Sequence, residues 1–292
     1  MQNLLSSSSI SSNEQRLLVW FSCGAASACA LKLVAHRNPI AVYCDTSKNE
    51  NADNARFRRD VEKWTSIEII SISNPKYSTI EQVFATKKYM SGIAGAPCTV
   101  AMKKIPRFAF QKPDDIHIFG YTTDEKKRIA KFEADNHDLH LEWPLVEAGM
   151  VKNDCYTMLV NAGILLPHKY LQGFDNNNCD GCVKATSPHY WNLVRKFTPE
   201  VFMARCAQSR QLGVKLVRLK GVRIFLDELP PDEKEVVKEN LSCGPQCSFD
   251  EVAVKCSSCG AELNPELEMP SESKFNEMCQ DCIDIRIDGY TL

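Results

Sequence analysis

Strand-length apolar runs recur along the chain, and a helix-type pattern follows each of the first three: "LLVWF" (Leu17 to Phe21), "PIAVYCD" (Pro39 to Asp45), "SIEIISI" (Ser66 to Ile72) and "DIHIFGY" (Asp115 to Tyr121). The first is continuously apolar, as a strand buried on both faces must be. Helix formers crowd Ala26 to Ala35, and "ADNARFRRDVEKW" sets Phe57, Val61 and Trp64 along one helical face. Further helices are predicted over about Thr79 to Met90 and from near Thr99, separated by the glycine-bearing "SGIAGAP". Strands alternating with helices require crossover connections, so the prediction is an α/β fold, a doubly wound and mostly parallel sheet with helices on both faces.

Such sheets bind ligands beyond the carboxyl ends of their strands. The residues after each strand are therefore the candidates: Ser22 to Ser27, Asp45 with Thr46, and Gly120 to Arg128. "SCGAAS" offers small residues at a helix N-terminus, where unpaired N–H groups and the positive end of the dipole attract anions. A compact strand-to-helix turn would carry the same composition, so both readings stay open from this stretch alone. Beyond about Leu145 the pattern becomes helical around "DNNNCDGCVK", with helices bearing Trp191 and Val194 and spanning Pro199 to about Leu212. "KLVRLKGVRIFL" reads as a hairpin or strand, and "LPPDEKE" as a linker.

With 292 residues, 44% of them hydrophobic, the chain can bury a full core. The formal charge of −2 supplies no global basic field, so any contact with nucleic acid must be local. The Ser-rich start (1–14) reads as a flexible tail without the basic and apolar regions of a signal peptide, and no apolar run has the length of a membrane span. A soluble, cytoplasmic protein with no membrane partner is expected. Fourteen cysteines in a reducing compartment are thiols or metal ligands before they are disulfides. Cys23, Cys29, Cys44 and Cys206 sit in apolar or helical surroundings and read as small buried residues. Cys256-x-x-Cys259 and Cys279-x-x-Cys282, nineteen residues apart, have the spacing of a zinc ribbon in a module over 242–292.

The set "FSCGAAS", "YCDTSKNENADNARFRRDVEKW", "CTVAMKKIP", "GYTTDEKKR" and "GFDNNNCDGCVKATSPHYW", taken in this order, resembles the phosphoadenosine phosphosulfate (PAPS) reductase family of the adenine nucleotide alpha-hydrolase-like, PP-loop group. The resemblance covers roughly Leu17 to Cys247 and implies a nucleotide-binding domain over 15–241. It implies that Ser22, Gly24, Ala25 and Ser27 hold nucleotide phosphates. Asp45, Thr46, Gly120, Tyr121, Asp124 and Glu125 would then surround the nucleotide, PAPS or ATP. Lys103, beside Lys104, and Arg128 would balance phosphate or sulfate charge. Cys98, Cys179 and Cys182 match three of the four cysteines that hold a [4Fe–4S] cluster in iron–sulfur members, with Thr99 in place of the other; Cys155 is a candidate fourth, and zinc an alternative metal. Thiol-dependent members carry a Glu-Cys-Gly nucleophile, resolved by a thioredoxin-like donor; "LSCGPQC" shares only Cys243-Gly244, and Cys243 and Cys247 could equally be metal ligands or a redox pair.

The departures bear on activity. Cys23 replaces the first of the family's two loop glycines, and Ala25-Ala26 stands where ATP-cleaving relatives carry Lys-Asp. Three expectations follow: reduction of an activated sulfate or a related sulfur transfer, ATP-dependent iron–sulfur thiolation of tRNA or DNA, and a non-catalytic nucleotide-binding adaptor with a zinc ribbon.

Overall fold

The computed structural model describes residues 15–92 and 95–236. The calls on the 1–14 tail and on Cys243, Cys247, Cys256, Cys259, Cys279 and Cys282 lie outside these residues. The core is a five-stranded, all-parallel sheet in the order β3-β2-β1-β4-β5, formed by β1 (Leu17–Phe21), β2 (Ile40–Cys44), β3 (Ile69–Ile72), β4 (Ile116–Phe119) and β5 (His140–Glu142). Leu18 pairs with Ile40 on one side and His117 on the other, so β1 occupies the centre. Every β1 residue is buried, which is why its sequence shows no polar alternation.

Helices flank the sheet. Leu17, Val19 and Phe21 join one apolar cluster with residues of α1 (Ala25–Val34) and with Phe57 and Val61 of α2 (Asn54–Thr65). Leu18 and Trp20 point the other way, into a cluster with Phe119 and Phe132. The Trp20 indole N–H donates to Nδ1 of the fully buried His117 at 3.0 Å, and burial pulls His117 down to about 4. The imidazole is thus neutral and accepts the bond. A third cluster gathers α3 (Ile80–Lys87), the segment around Cys98, the two consecutive helices Pro188–Phe197 and Pro199–Gln211, and an antiparallel hairpin of β6 (Val217–Leu219) and β7 (Val222–Ile224). None of the described helices is long and apolar enough to cross a membrane.

After β3 the chain returns to place β4 on the far side of β1. Strand order therefore reverses between β1 and β4, and their carboxyl ends open the crevice where this architecture takes ligands.

Candidate functional site at the carboxyl edge of the sheet

Ser22 to Ser27 occupy the β1 side of that crevice. The residue with left-handed backbone is Cys23 (φ 56), not Gly24, whose φ is −94. A non-glycine side chain in that region is strained by roughly 1–2 kcal/mol. The loop is closed from within. Ser27 Oγ accepts from the Ser22 N–H at 3.1 Å and donates to the Gly24 carbonyl at 3.0 Å, while Ser22 Oγ lies 3.2 Å away. The Ser27 hydroxyl is thus engaged in holding the turn. The Ala25 N–H reaches Tyr170 Oη at 3.4 Å, and Ala28 N–H bonds the Gly24 carbonyl as the first helical link. The N–H groups of Gly24, Ala26 and Ser27 have no acceptor among the described residues. Gly24 and Ala26, only partly buried, turn unbonded N–H groups toward the positive end of a ten-residue helix, while Ser27 N lies buried beneath Gly120.

The β4 side presses directly on this turn. A Cβ on Gly120 would stand 2.5 Å from Ser27 N and 2.8 Å from the Ala26 carbonyl carbon, so only glycine fits. Tyr121 follows, and Thr122 begins a capping box: its N–H donates to Glu125 Oε2 at 3.1 Å. Glu125 also pairs with Arg128, whose guanidinium lies over the Tyr121 ring at 4.9 Å. Asp124 accepts the Lys152 N–H at 3.2 Å. Glu125 and Asp124 thus hold the rim together and position its cations.

At the end of β2, Asp45 turns back on its own chain, its Oδ1 accepting the Ser47 N–H at 2.9 Å. Thr46 is buried and donates to Glu50, which also accepts from Tyr43 Oη and from Asn54 Nδ2, each at 2.8 Å. Lys103 and Lys104 lie in a π-type turn, Val100–Lys104, and both are buried. Burial pushes the Cys23 thiol well above its ordinary range, reinforced by Glu50, and the nearby Arg58 and Lys103 charges offset only part of this. Burial likewise pushes Cys44 up to about 12. Both thiols at the loop are therefore protonated near neutral pH and are not nucleophiles there.

The sequence reading missed Lys152. Burial lowers its pKa, and its ammonium donates to the Asp175 carbonyl and to Asn176 Oδ1 and lies 5.9 Å from the Tyr170 ring centroid, on the side from which Tyr170 touches the loop. Its sequence signal is only a lysine at the start of the helix Lys152–Asn161, which an exposed lysine shares.

Cys98, Cys179 and Cys182 fall in one buried apolar cluster together with Cys206. Cys155 falls in another, behind α1, where its carbonyl accepts from Cys29 Sγ at 3.4 Å. Cys155 is thus packed with Cys29 and apart from the other three. Among the described residues no group of three or more His, Cys, Asp or Glu side chains is arranged to hold a metal ion. The four scattered cysteines, Cys23, Cys29, Cys44 and Cys206, are buried as their surroundings suggested.

No protein-family model matches this chain, and no curated protein matches it significantly.

Proposed function

We propose that the chain binds an adenine nucleotide with its phosphates on the Ser22 to Ser27 turn and acts on sulfur carried by that nucleotide, in the manner of PAPS reductases. The supporting observation is the pair of unbonded N–H groups at Gly24 and Ala26, on partly buried residues at the β1–β4 reversal, with no carboxylate bonded to them. Anions gain most at such a helix start. Lys103, Arg128 and Lys152 supply cations around it, and a sulfate anhydride, with several negative oxygens, matches this set better than a neutral ligand.

In the reductive version, a cysteine thiolate attacks the sulfate sulfur, the sulfur–oxygen bond to the nucleotide phosphate breaks, and adenosine 3′,5′-bisphosphate leaves with the electron pair. The cysteine then carries an S-sulfonate. A dithiol donor of thioredoxin type attacks the cysteine sulfur, sulfite departs, and the resulting mixed disulfide resolves to the donor's disulfide. Cys23 and Cys44 are buried, and burial raises both thiols, which disfavours them as attacking groups; Cys243 is the candidate from the sequence.

Calorimetric titration with PAPS, adenosine 3′,5′-bisphosphate, ATP and inorganic pyrophosphate tests the binding step. Sulfite release from PAPS with a thioredoxin-type donor tests the chemistry. Tight binding with sulfite release is the expected result. Pyrophosphate release from ATP that depends on an added RNA or DNA would replace it with the thiolation reading, and binding without turnover would replace it with the adaptor.

A further inference from the structure

Asn177 joins two parts of the molecule that the sequence leaves 154 residues apart. Its side chain is buried, and Nδ2 donates to the Cys23 carbonyl at 2.7 Å and to Asn54 Oδ1 at 2.7 Å. Chemistry alone fixes the orientation of both amides. A carbonyl can only accept, so Asn177 must turn its NH2 toward Cys23. The Glu50 carboxylate accepts from Asn54 Nδ2 at 2.8 Å, which turns Asn54 Oδ1 toward Asn177. Asn177 therefore holds the one left-handed residue of the phosphate turn on one side, and two residues later the chain enters Cys179-Asp180-Gly181-Cys182.

That cysteine turn is itself rigid. Lys169 Nζ donates to the carbonyls of Asn178 and Cys179 at 2.8 and 3.3 Å, and Arg205 Nε donates to the Gly181 carbonyl at 3.1 Å. The Cys182 N–H donates to Tyr190 Oη, and the Asp180 N–H to the Asn49 carbonyl. A rigid body attached at one point to a strained loop transmits displacement in either direction.

We infer that Asn177 is a positioning residue that locks the phosphate turn to the cysteine turn, so that an anion bound at Gly24 to Ser27 tightens Cys179 to Cys182. The tie exists without ligand; its ligand dependence rests on the proposed nucleotide site.

Hydrogen exchange on the full chain separates these two claims. The amides of Ser22, Ala25 and Ala28 report the first turn and those of Asp180 and Cys182 the second, with β2 and β3 as internal controls. In Asn177→Leu both sets should exchange faster by about tenfold, the factor equivalent to about 1.4 kcal/mol, with the controls unchanged. Asn54→Ala removes the acceptor that orients the Asn177 amide, and should accelerate Ala25 and Cys182 by a smaller factor even if Asn177→Leu does not fold. In the wild type, inorganic pyrophosphate and ATP should slow exchange at Asp180 and Cys182, and in Asn177→Leu they should not. Acceleration confined to Asp180 and Cys182 overturns the tie. Binding of either probe that leaves Asp180 and Cys182 unaffected overturns the coupling and leaves the nucleotide site standing. Failure of both probes to bind, with both amide sets accelerated in Asn177→Leu, overturns the nucleotide site and supports the tie.

Discussion

The Ser22 to Ser27 turn and the cysteine turn meet at Asn177 and are built on opposite principles. Ser22 to Ser27 leave backbone donors open, and their only internal support is a buried serine hydroxyl. Asn178 to Cys182 leave little open: two buried cations, Lys169 and Arg205, and the Tyr190 hydroxyl reach their polar atoms. Open donors cost stability unless something negative arrives, whereas satisfied carbonyls fix geometry before anything arrives. The first turn keeps donors that a ligand would satisfy, and the second holds its side chains in a fixed arrangement.

The strongest way to break this contrast is through Gly120, which the first turn needs more than its own glycine. Gly120→Ala drives a Cβ into Ser27 N at 2.5 Å, a backbone contact that no rotamer relieves. Overpacking of that kind costs about 3 kcal/mol, so the urea midpoint should drop sharply and pyrophosphate binding should be lost. Gly24→Ala meets only ordinary contacts at 3.5 Å from Ser22 Oγ and Tyr170 Oη, with φ already negative. It should cost under about 1 kcal/mol in the same titration. Equal effects at the two positions would mean that the β4–α1 contact does not shape the turn.

The cysteine turn is probed at Lys169, whose side chain is 1% exposed and pairs with Asp180 at 2.9 Å. Lys169→Met keeps most of the volume but strands the Asp180 carboxylate and two carbonyls. Removing one partner of a buried pair costs about 3 kcal/mol, somewhat less here because Asp180 retains some exposure. Chemical denaturation should show that loss, while pyrophosphate affinity at the other turn should change less than it does in Gly120→Ala. A larger effect on binding than on stability would mean that Lys169 serves the ligand rather than the turn.

The sequence makes some of this visible and hides the rest for physical reasons. Continuous apolar runs mark β1 and β2 because burial on both faces leaves no polar alternation, and the turn after β1 follows from them. The fifth strand, His140–Glu142, was missed because an edge strand of three residues with exposed or half-buried side chains carries no apolar run. Nothing local in the sequence announces that Lys169 and Arg205 will be buried, paired with Asp180 and Glu81 from other segments. Cys155 was grouped with the central cysteines by nearness in the chain, but its helix turns it toward Cys29 of α1. Spacing along a chain keeps two side chains together only when they lie in one turn, as Cys179 and Cys182 do.

The smallest expected effect concerns the strain that Asn177 holds. Cys23→Gly and Cys23→Ala both remove the thiol, which is 2% exposed, but only glycine accepts φ 56 without a steric cost. The lost packing is nearly common to the two variants, so their difference isolates the backbone term. Cys23→Gly should be the more stable by about 1 kcal/mol in urea, reduced somewhat by the greater freedom of glycine in the unfolded chain. In an Asn177→Leu background the loop can relax toward negative φ, and the gap between the two variants should shrink. A gap that persists there would mean that the β1–α1 connection, rather than the cysteine turn, keeps Cys23 in its left-handed state.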